Sequence, residues 1–443
     1  MVDRVHESPA AGNGLLSRRL ILKGGLGFGT VVMAAASRAV PAAGTEARPA
    51  WMREAGAAFT PYGQPSPHES EVARYAAPNR VMRNSGASFT PLHLLEGTIT
   101  PNGLHFERHH NGVPAVDPHL HELYVHGLVR RPLKFGIRDL LRYPLRSRIC
   151  FIECGGNSSA GWNRAPSRAE AGYFHGLVSC SEWTGVPLAT ILDEAGVDAA
   201  AKWIIAEGAD AFAMDISFPI EKARDDAILA LYQNGERLRP ENGYPLRLVL
   251  PGWEGVLNVK WLRRLELSRE PVMSRNETAR YTDLLPSGKA RRFSFVMEAK
   301  SLITSPSSGM LLRDGPGLYQ ITGLAWSGRG RIAKVEVSAD GGATWAEAAL
   351  QEPILPAAFT RFRIPWRWNG APAVLRSRAT DETGYVQPER AELIAKRGRH
   401  GFYHYNAIVS WSVEADGSVG HIYDQNDAAA QGDDSPDVDA GWE

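Results

Sequence analysis

Hydrophobic and polar positions change rhythm several times along this chain. Residues 44–95 are rich in Pro, Ala, Ser and charge with little periodicity, which reads as an extended arm rather than a domain. Between residues 96 and 300 the pattern is mixed. Arg148-Ile149-Cys150-Phe151-Ile152-Glu153-Cys154 reads as a strand with a glycine turn behind it. In the segment 187–196, Leu188, Ile191, Leu192 and Ala195 share one face, so a short helix is expected there, stopped by Gly196. Residues 245–250 form another apolar strand candidate, closed by Pro251-Gly252. Beyond residue 300 the period drops to two. Ala333, Val335 and Val337 alternate with Lys334 and Glu336, and Ala339-Asp340-Gly341-Gly342 supplies a hairpin turn. Phe362, Ile364, Trp366 and Trp368 line one face of a second strand, and residues 374–379 give a third. Strands at this spacing predict an all-β sandwich over 301–400, with 401–443 left as a C-terminal segment.

A chain of 443 residues is too long for one core, in keeping with two domains. Lys plus Arg and Asp plus Glu balance at 49 each, so no net field draws the molecule to nucleic acid or a membrane surface. The local exception runs from Glu414 to Glu443, with nine acidic residues and no Lys or Arg, and reads as a solvated tail or a docking element.

The N-terminus has a different character. Ser17-Arg18-Arg19-Leu20-Ile21-Leu22-Lys23 precedes an uncharged stretch over 24–36, shorter than the roughly 20 residues a bilayer span needs. Small residues at 34–36 and 42–43 offer cleavage positions. Paired arginines before a weakly apolar segment resemble a twin-arginine signal, so 1–43 is expected to direct export to the periplasm of an already folded protein. A general secretory signal or an uncleaved anchor is the alternative. The glycines between 24 and 29 lie inside this signal with no preceding strand, and are no nucleotide loop.

Three clusters carry chemistry. The first runs from His105 to His126 and holds six histidines in a chain of 13 (His105, His109, His110, His119, His121, His126). Metal ligation is one reading. With no HExxH pair and a Gly-Val-Pro loop following, the other is histidines that are satisfied locally or donate to an anionic cofactor. The second is Glu153-Cys154-Gly155-Gly156-Asn157-Ser158, where a thiol at a strand end is followed by glycines that leave room for close approach. A thiolate is a soft ligand suited to a high-valent metal, whereas a lone buried cysteine is inert. The third comprises Asn242-Gly243-Tyr244-Pro245-Leu246-Arg247 and Asn258-Val259-Lys260-Trp261-Leu262. There Arg247 offers a planar fork and Lys260 a point charge for phosphate, or both serve structural ion pairs. Cys150, Cys154 and Cys180 make no disulfide framework, and no CxxCH motif is present for haem.

In this order the three clusters resemble the molybdopterin-binding domain of the sulfite oxidase family, and residues 301–400 resemble that family's immunoglobulin-like dimerisation domain. The resemblance implies an α+β catalytic domain followed by the sandwich, with a molybdenum–molybdopterin cofactor. It places the metal ligand at Cys154, substrate and pterin-phosphate contacts at Arg108, His109 and His110, and pterin contacts at Asp210, Asn242, Arg247, Asn258, Val259 and Lys260. It further puts a catalytic tyrosine at Tyr281 and a catalytic arginine at Arg397. One departure matters: sulfite-oxidising members follow the cysteine motif with two arginines, and here those positions are Ser158 and Ser159. Losing a charge-assisted partner costs an oxyanion site roughly 1.5–3 kcal/mol. At whole-chain scale, residues 148–158, 179–185 and 399–406 resemble the sulfane dehydrogenase branch. That branch implies a persulfide substrate on a sulfur carrier protein, a c-type cytochrome subunit as electron acceptor, and a homodimer of this subunit within a heterotetramer. A sulfite dehydrogenase, a zinc hydrolase on the histidine cluster, and a binding module resting on the sandwich are the competing readings.

Overall fold

The computed structural model of the chain describes residues 9–17, scattered positions between 49 and 58, and residues 60–398 and 401–423. The arginine pair at 18–19, residues 399–400 and most of the acidic tail lie outside the described residues. Among the described residues no helix is long and apolar enough to cross a membrane.

The catalytic half is built from two five-stranded sheets with short helices on them. In the first, Arg146–Glu153 pairs antiparallel with Val178–Pro187, which pairs with Ile228–Gln233; Arg247–Val249 adds to that last strand. In the second, Leu262–Ser268 lies at the centre, parallel to Glu122–Gly127 and antiparallel to Trp203–Gly208. The expected helix forms over Leu188–Ala195. Its four apolar positions are buried in the second core, and Gly196 closes it at φ +70°, where a side chain would be strained.

The sandwich pairs a four-stranded sheet (Lys300–Ser305, Gly317–Trp326, Thr360–Trp368, Ala349–Leu350) with a five-stranded one. The Phe362, Ile364, Trp366 and Trp368 face is buried as the alternation predicts. The alternation fails at Ala333, which is exposed. Pairing with Ala373–Asp381 slips between Ile332 and Lys334, and this bulge lets Ile332 take the inward place.

Two expected boundaries move. The arm over 44–95 ends early: Tyr75–Pro78 and Gly86–Phe89 pair with each other, and Glu107–His109 joins them, with Phe89 and Leu92 in the core. Strands this short and rich in Gly, Ala and Ser leave no period-two signature. The sandwich likewise does not stop at 400, since Ser410–Val413 and Val419–Ile422 complete its five-stranded sheet.

A buried ion pair joins the halves. Lys300 Nζ, in the first sandwich strand, lies 3.1 Å from Glu153 Oε1 and 2.7 Å from Ser158 Oγ. Glu153 also accepts from Asn157 Nδ2 at 2.9 Å and Trp326 Nε1 at 2.7 Å. Removing one member of such a pair strands the other charge. Lys300→Met is therefore expected to lower folding free energy by about 3–5 kcal/mol in urea denaturation, and a loss below about 1 kcal/mol would show the pair to be dispensable.

Candidate active site

Cys154 sits where the Arg146–Glu153 strand ends. Its N–H donates to Leu177 O (2.9 Å), and its carbonyl accepts from Asn157 N (2.9 Å), closing the turn. The two glycines are required by what surrounds them. A Cβ on Gly155 would stand 1.8 Å from Glu254 Oε1, and one on Gly156 2.9 Å from the Phe402 ring. Burial pushes the Cys154 thiol up to about 11, so it is protonated at neutral pH unless a cation takes the proton's place.

The thiol opens onto a cleft of concentrated positive charge. Arg108, Arg247 and Lys260 line it, carried respectively by the strands Glu107–His109 and Arg247–Val249 and by the turn before Leu262–Ser268. Lys260 Nζ is fixed by three partners: Arg108 O (3.1 Å), His109 Nδ1 (2.7 Å) and Glu241 O (3.2 Å). Burial, then the Arg247 charge, holds Lys260 well below its usual range. Arg247, pulled down to about 9 by burial, donates to Asn242 O (3.0 Å) and lies over the Trp183 ring. The neighbouring histidines are neutral. Burial lowers His105 and His110 to about 3, and His109 to about 4, with Arg or Lys charges adding to the effect in each case.

Several buried polar atoms here have no protein partner: Arg247 Nε, Asp210 Oδ1, Asn242 Oδ1 and His105 Nε2. Buried polar groups are nearly always satisfied. Three cations beside unpaired donors and acceptors suit a group that carries phosphate and a hydrogen-bonding heterocycle. Cys154 at the cleft wall offers a thiolate to a high-valent metal attached to that group. The residues present therefore fit molybdopterin: Arg247 and Lys260 would meet a phosphate, Asp210 a hydrogen-bonding heterocycle and Cys154 a metal.

Of the residues expected from sequence, Arg108, His109, His110, Cys154, Asp210, Arg247, Asn258, Val259, Lys260 and Tyr281 line this one cleft. Asn242 lies beneath it, holding Arg247 through its carbonyl and Gln233 through its side chain. The Asn258 side chain is occupied by Leu250 N, Trp253 O and Glu254 O, so it shapes the wall rather than binding through its amide. Arg397 is not brought to the cleft. It is buried against Asp283 Oδ2 (3.1 Å) and Glu298 Oε2 (3.5 Å), and so steadies the segment that carries Tyr281. Of the histidine cluster, only His105, His109 and His110 reach the cleft. His110 stacks on Phe212, His121 bonds Leu262 O and His119 is exposed. Among the described residues no three His, Cys, Asp or Glu side chains gather to hold a metal ion.

Ser158 and Ser159 are buried and are not among the residues lining the cleft. Ser158, at φ +65°, meets His175 Nδ1 at 2.7 Å and Lys300. Sequence reasoning gave no role to Glu254 and His404. Glu254 packs on Gly155, with Oε2 3.3 Å from His404 Nε2 and Oε1 unpaired. The 401–406 loop that supplies His404 closes over the cysteine turn, His404 N donating to Gly155 O at 2.8 Å. No spacing rule connects residue 404 to residue 155.

The fold and this cleft define a molybdopterin oxidoreductase. Residues 110–276 match the oxidoreductase molybdopterin binding domain, and residues 291–410 the Mo-co oxidoreductase dimerisation domain. The chain is 32% identical to mitochondrial sulfite oxidase of Mus musculus over 322 residues, covering 67% of this chain and 58% of that protein. It is 30% identical to a nitrate reductase [NADH] of Solanum lycopersicum over 333 residues, 66% of this chain and 36% of that protein. It thus spans less than two thirds of these curated relatives. The crystal structure of the sulfane dehydrogenase SoxCD from Paracoccus pantotrophus superposes with a TM-score of 0.82 at 47% identity, over 84% of this chain and 97% of that one. The chain belongs to the sulfite oxidase family of molybdopterin oxidoreductases. Within it, the resemblance to the SoxC subunit of sulfane dehydrogenase is matched by this structural likeness.

Proposed function

We propose that this chain is the molybdenum subunit of a periplasmic sulfane dehydrogenase, oxidising persulfide sulfur on a carrier-protein cysteine and passing electrons to a c-type cytochrome subunit. It acts as a homodimer within a heterotetramer, after export through the signal in residues 1–43. The observation that carries the substrate reading is the charge around the cysteine turn. Where sulfite-oxidising relatives have two arginines, this chain has the uncharged Ser158 and Ser159, and Glu254 sets a carboxylate against Gly155. Free sulfite, a small dianion, is disfavoured by both features. A persulfide at the end of a carrier arm brings its binding energy from elsewhere.

When bound, the cofactor supplies two-electron oxidation with oxygen-atom transfer to sulfur. Each oxygen added comes from water and releases two electrons and two protons. Within the chain, Cys154 anchors the metal, and Arg108 stabilises negative charge developing on the oxidised sulfur. Tyr281 hydrogen-bonds beside it from a ring packed at a tilt against Tyr403. Lys260 and Arg247 keep the cofactor's reactive end in register with these groups.

The decisive assay compares kcat/KM for persulfidated carrier and free sulfite, with cytochrome c as acceptor. The carrier should be preferred; equal or better sulfite turnover would favour a sulfite dehydrogenase, the reading that Arg108 and the sulfite oxidase relatives support. Glu254→Gln should raise kcat/KM for sulfite about tenfold, the effect of removing roughly 1.4 kcal/mol of repulsion. No change would remove Glu254 from the specificity argument.

A further inference from the structure

The Thr360–Trp368 strand lies second from the edge of its sheet only in its first half. Ala349–Leu350 pairs with it at Arg363 and Phe362 and goes no further, so residues 364–368 have no sheet strand on that side. Pro365 suits such a place, since it has no N–H to offer a neighbour. An open half-edge of this kind attracts any extended segment.

Residues 9–17 fill it. Leu16 N donates to Pro365 O (3.0 Å), and Arg367 N donates to Gly14 O (2.8 Å), a two-bond extension of the sheet. The Trp366 indole N–H donates to Asn13 O (2.8 Å), and Asn13 Nδ2 to Ala339 O (2.7 Å), so both sheets of the sandwich are engaged. Leu15 is fully buried in the sandwich core, and Leu16 is nearly so. The sequence is fitted to the groove: Asn13 and Gly14 both have positive φ, and a Cβ on Gly14 would stand 1.9 Å from Arg367 O. This segment ends at Ser17, next to the Arg18-Arg19 pair.

We propose that the outer half-edge at residues 364–368 is a strand-addition site whose occupant is the chain's own segment 9–17. The start of the export signal is thereby tied to a folded sandwich, and processing vacates the site. The site takes a short extended peptide with a tight Asn-Gly turn followed by two leucines. Tethering makes the segment an intramolecular ligand at high effective concentration, so it stays seated while attached and is readily lost once cut. The chain therefore leads with a segment that seats only on a finished sandwich, as befits a protein exported folded. The last clause of the proposal rests on the export reading above; the strand addition does not.

Hydrogen exchange on the full chain tests the contact. The Arg367 amide should exchange at least about tenfold faster in Leu15→Asp than in wild type, with Leu15→Met protected and the Leu324 amide unchanged in all three. Equal exchange at Arg367 in wild type and Leu15→Asp would overturn the strand addition. Adding a synthetic peptide of residues 9–17 to the exported, processed protein should restore slow exchange at Arg367. If it does not, the site has no independent affinity for the segment and the proposal fails. N-terminal sequencing of the exported protein separates the two claims: a chain still beginning before residue 9 would overturn processing and leave the strand addition standing.

Discussion

Replacing Cys154 by serine is expected to lower kcat by at least about a thousandfold, a barrier increase of about 4 kcal/mol, without unfolding the protein. The expected loss comes from ligand chemistry. A thiolate is soft and polarisable and is held deprotonated by a high-valent metal, whereas a serine hydroxyl is hard and far less acidic. The fold survives because the turn is held through the backbone, by Cys154 N on Leu177 O and Asn157 N on Cys154 O. Serine also differs from cysteine by one atom, so the contacts of Gly155 and Gly156 are untouched. The measurement is kcat per bound molybdenum, together with the thermal midpoint. Substantial turnover in metal-loaded serine variant would remove Cys154 from the metal's coordination.

The second large effect is on cofactor retention. Arg247→Met is expected to weaken cofactor binding by about a hundredfold or more, since a buried fork to phosphate makes charge-assisted bonds worth roughly 1.5–3 kcal/mol each. In the protein, Arg247 lines the cleft with Lys260, and its buried Nε has no partner. Molybdenum and pterin per purified chain should therefore drop together, with the thermal midpoint of the protein part little changed. The same reasoning sets a sign for pH. Burial and Arg247 hold Lys260 low, and a bound phosphate raises it again. Affinity is therefore expected to fall once pH rises far enough for Lys260 to lose its proton. Arg397→Gln is the contrast. It breaks a buried pair with Asp283 outside the cleft, so it should cost stability rather than cofactor. Full cofactor retention in Arg247→Met would mean that the phosphate is held elsewhere.

What could be read from the sequence was what is local. The Cys154 strand and the Leu188–Ala195 helix announce themselves because burial on one side imposes a period within a few residues. The tryptophan-bearing Thr360–Trp368 strand does so for the same reason. Ala333 misled because a bulge is a property of the pairing, invisible in one strand alone. The strands at 75–89 and 410–422 escaped because they are four residues each and take their place from partners far away in sequence. The site divides along the same line. Arg108, Cys154, Arg247 and Lys260 lie in motifs compact enough to be recognised, and the fold gathers them in one cleft. Arg397 was assigned to that cleft by resemblance alone and proves to be a buried strut. Glu254 and His404 matter because two distant loops meet over Gly155, a closure that no spacing encodes.

Occupancy of the cleft by its cofactor is the property to measure. Protein purified after export from a host that makes molybdopterin should contain about one molybdenum per chain, with a pterin released on denaturation. Correctly exported protein from such a host with neither metal nor pterin would contradict the assignment of Cys154, Arg247 and Lys260.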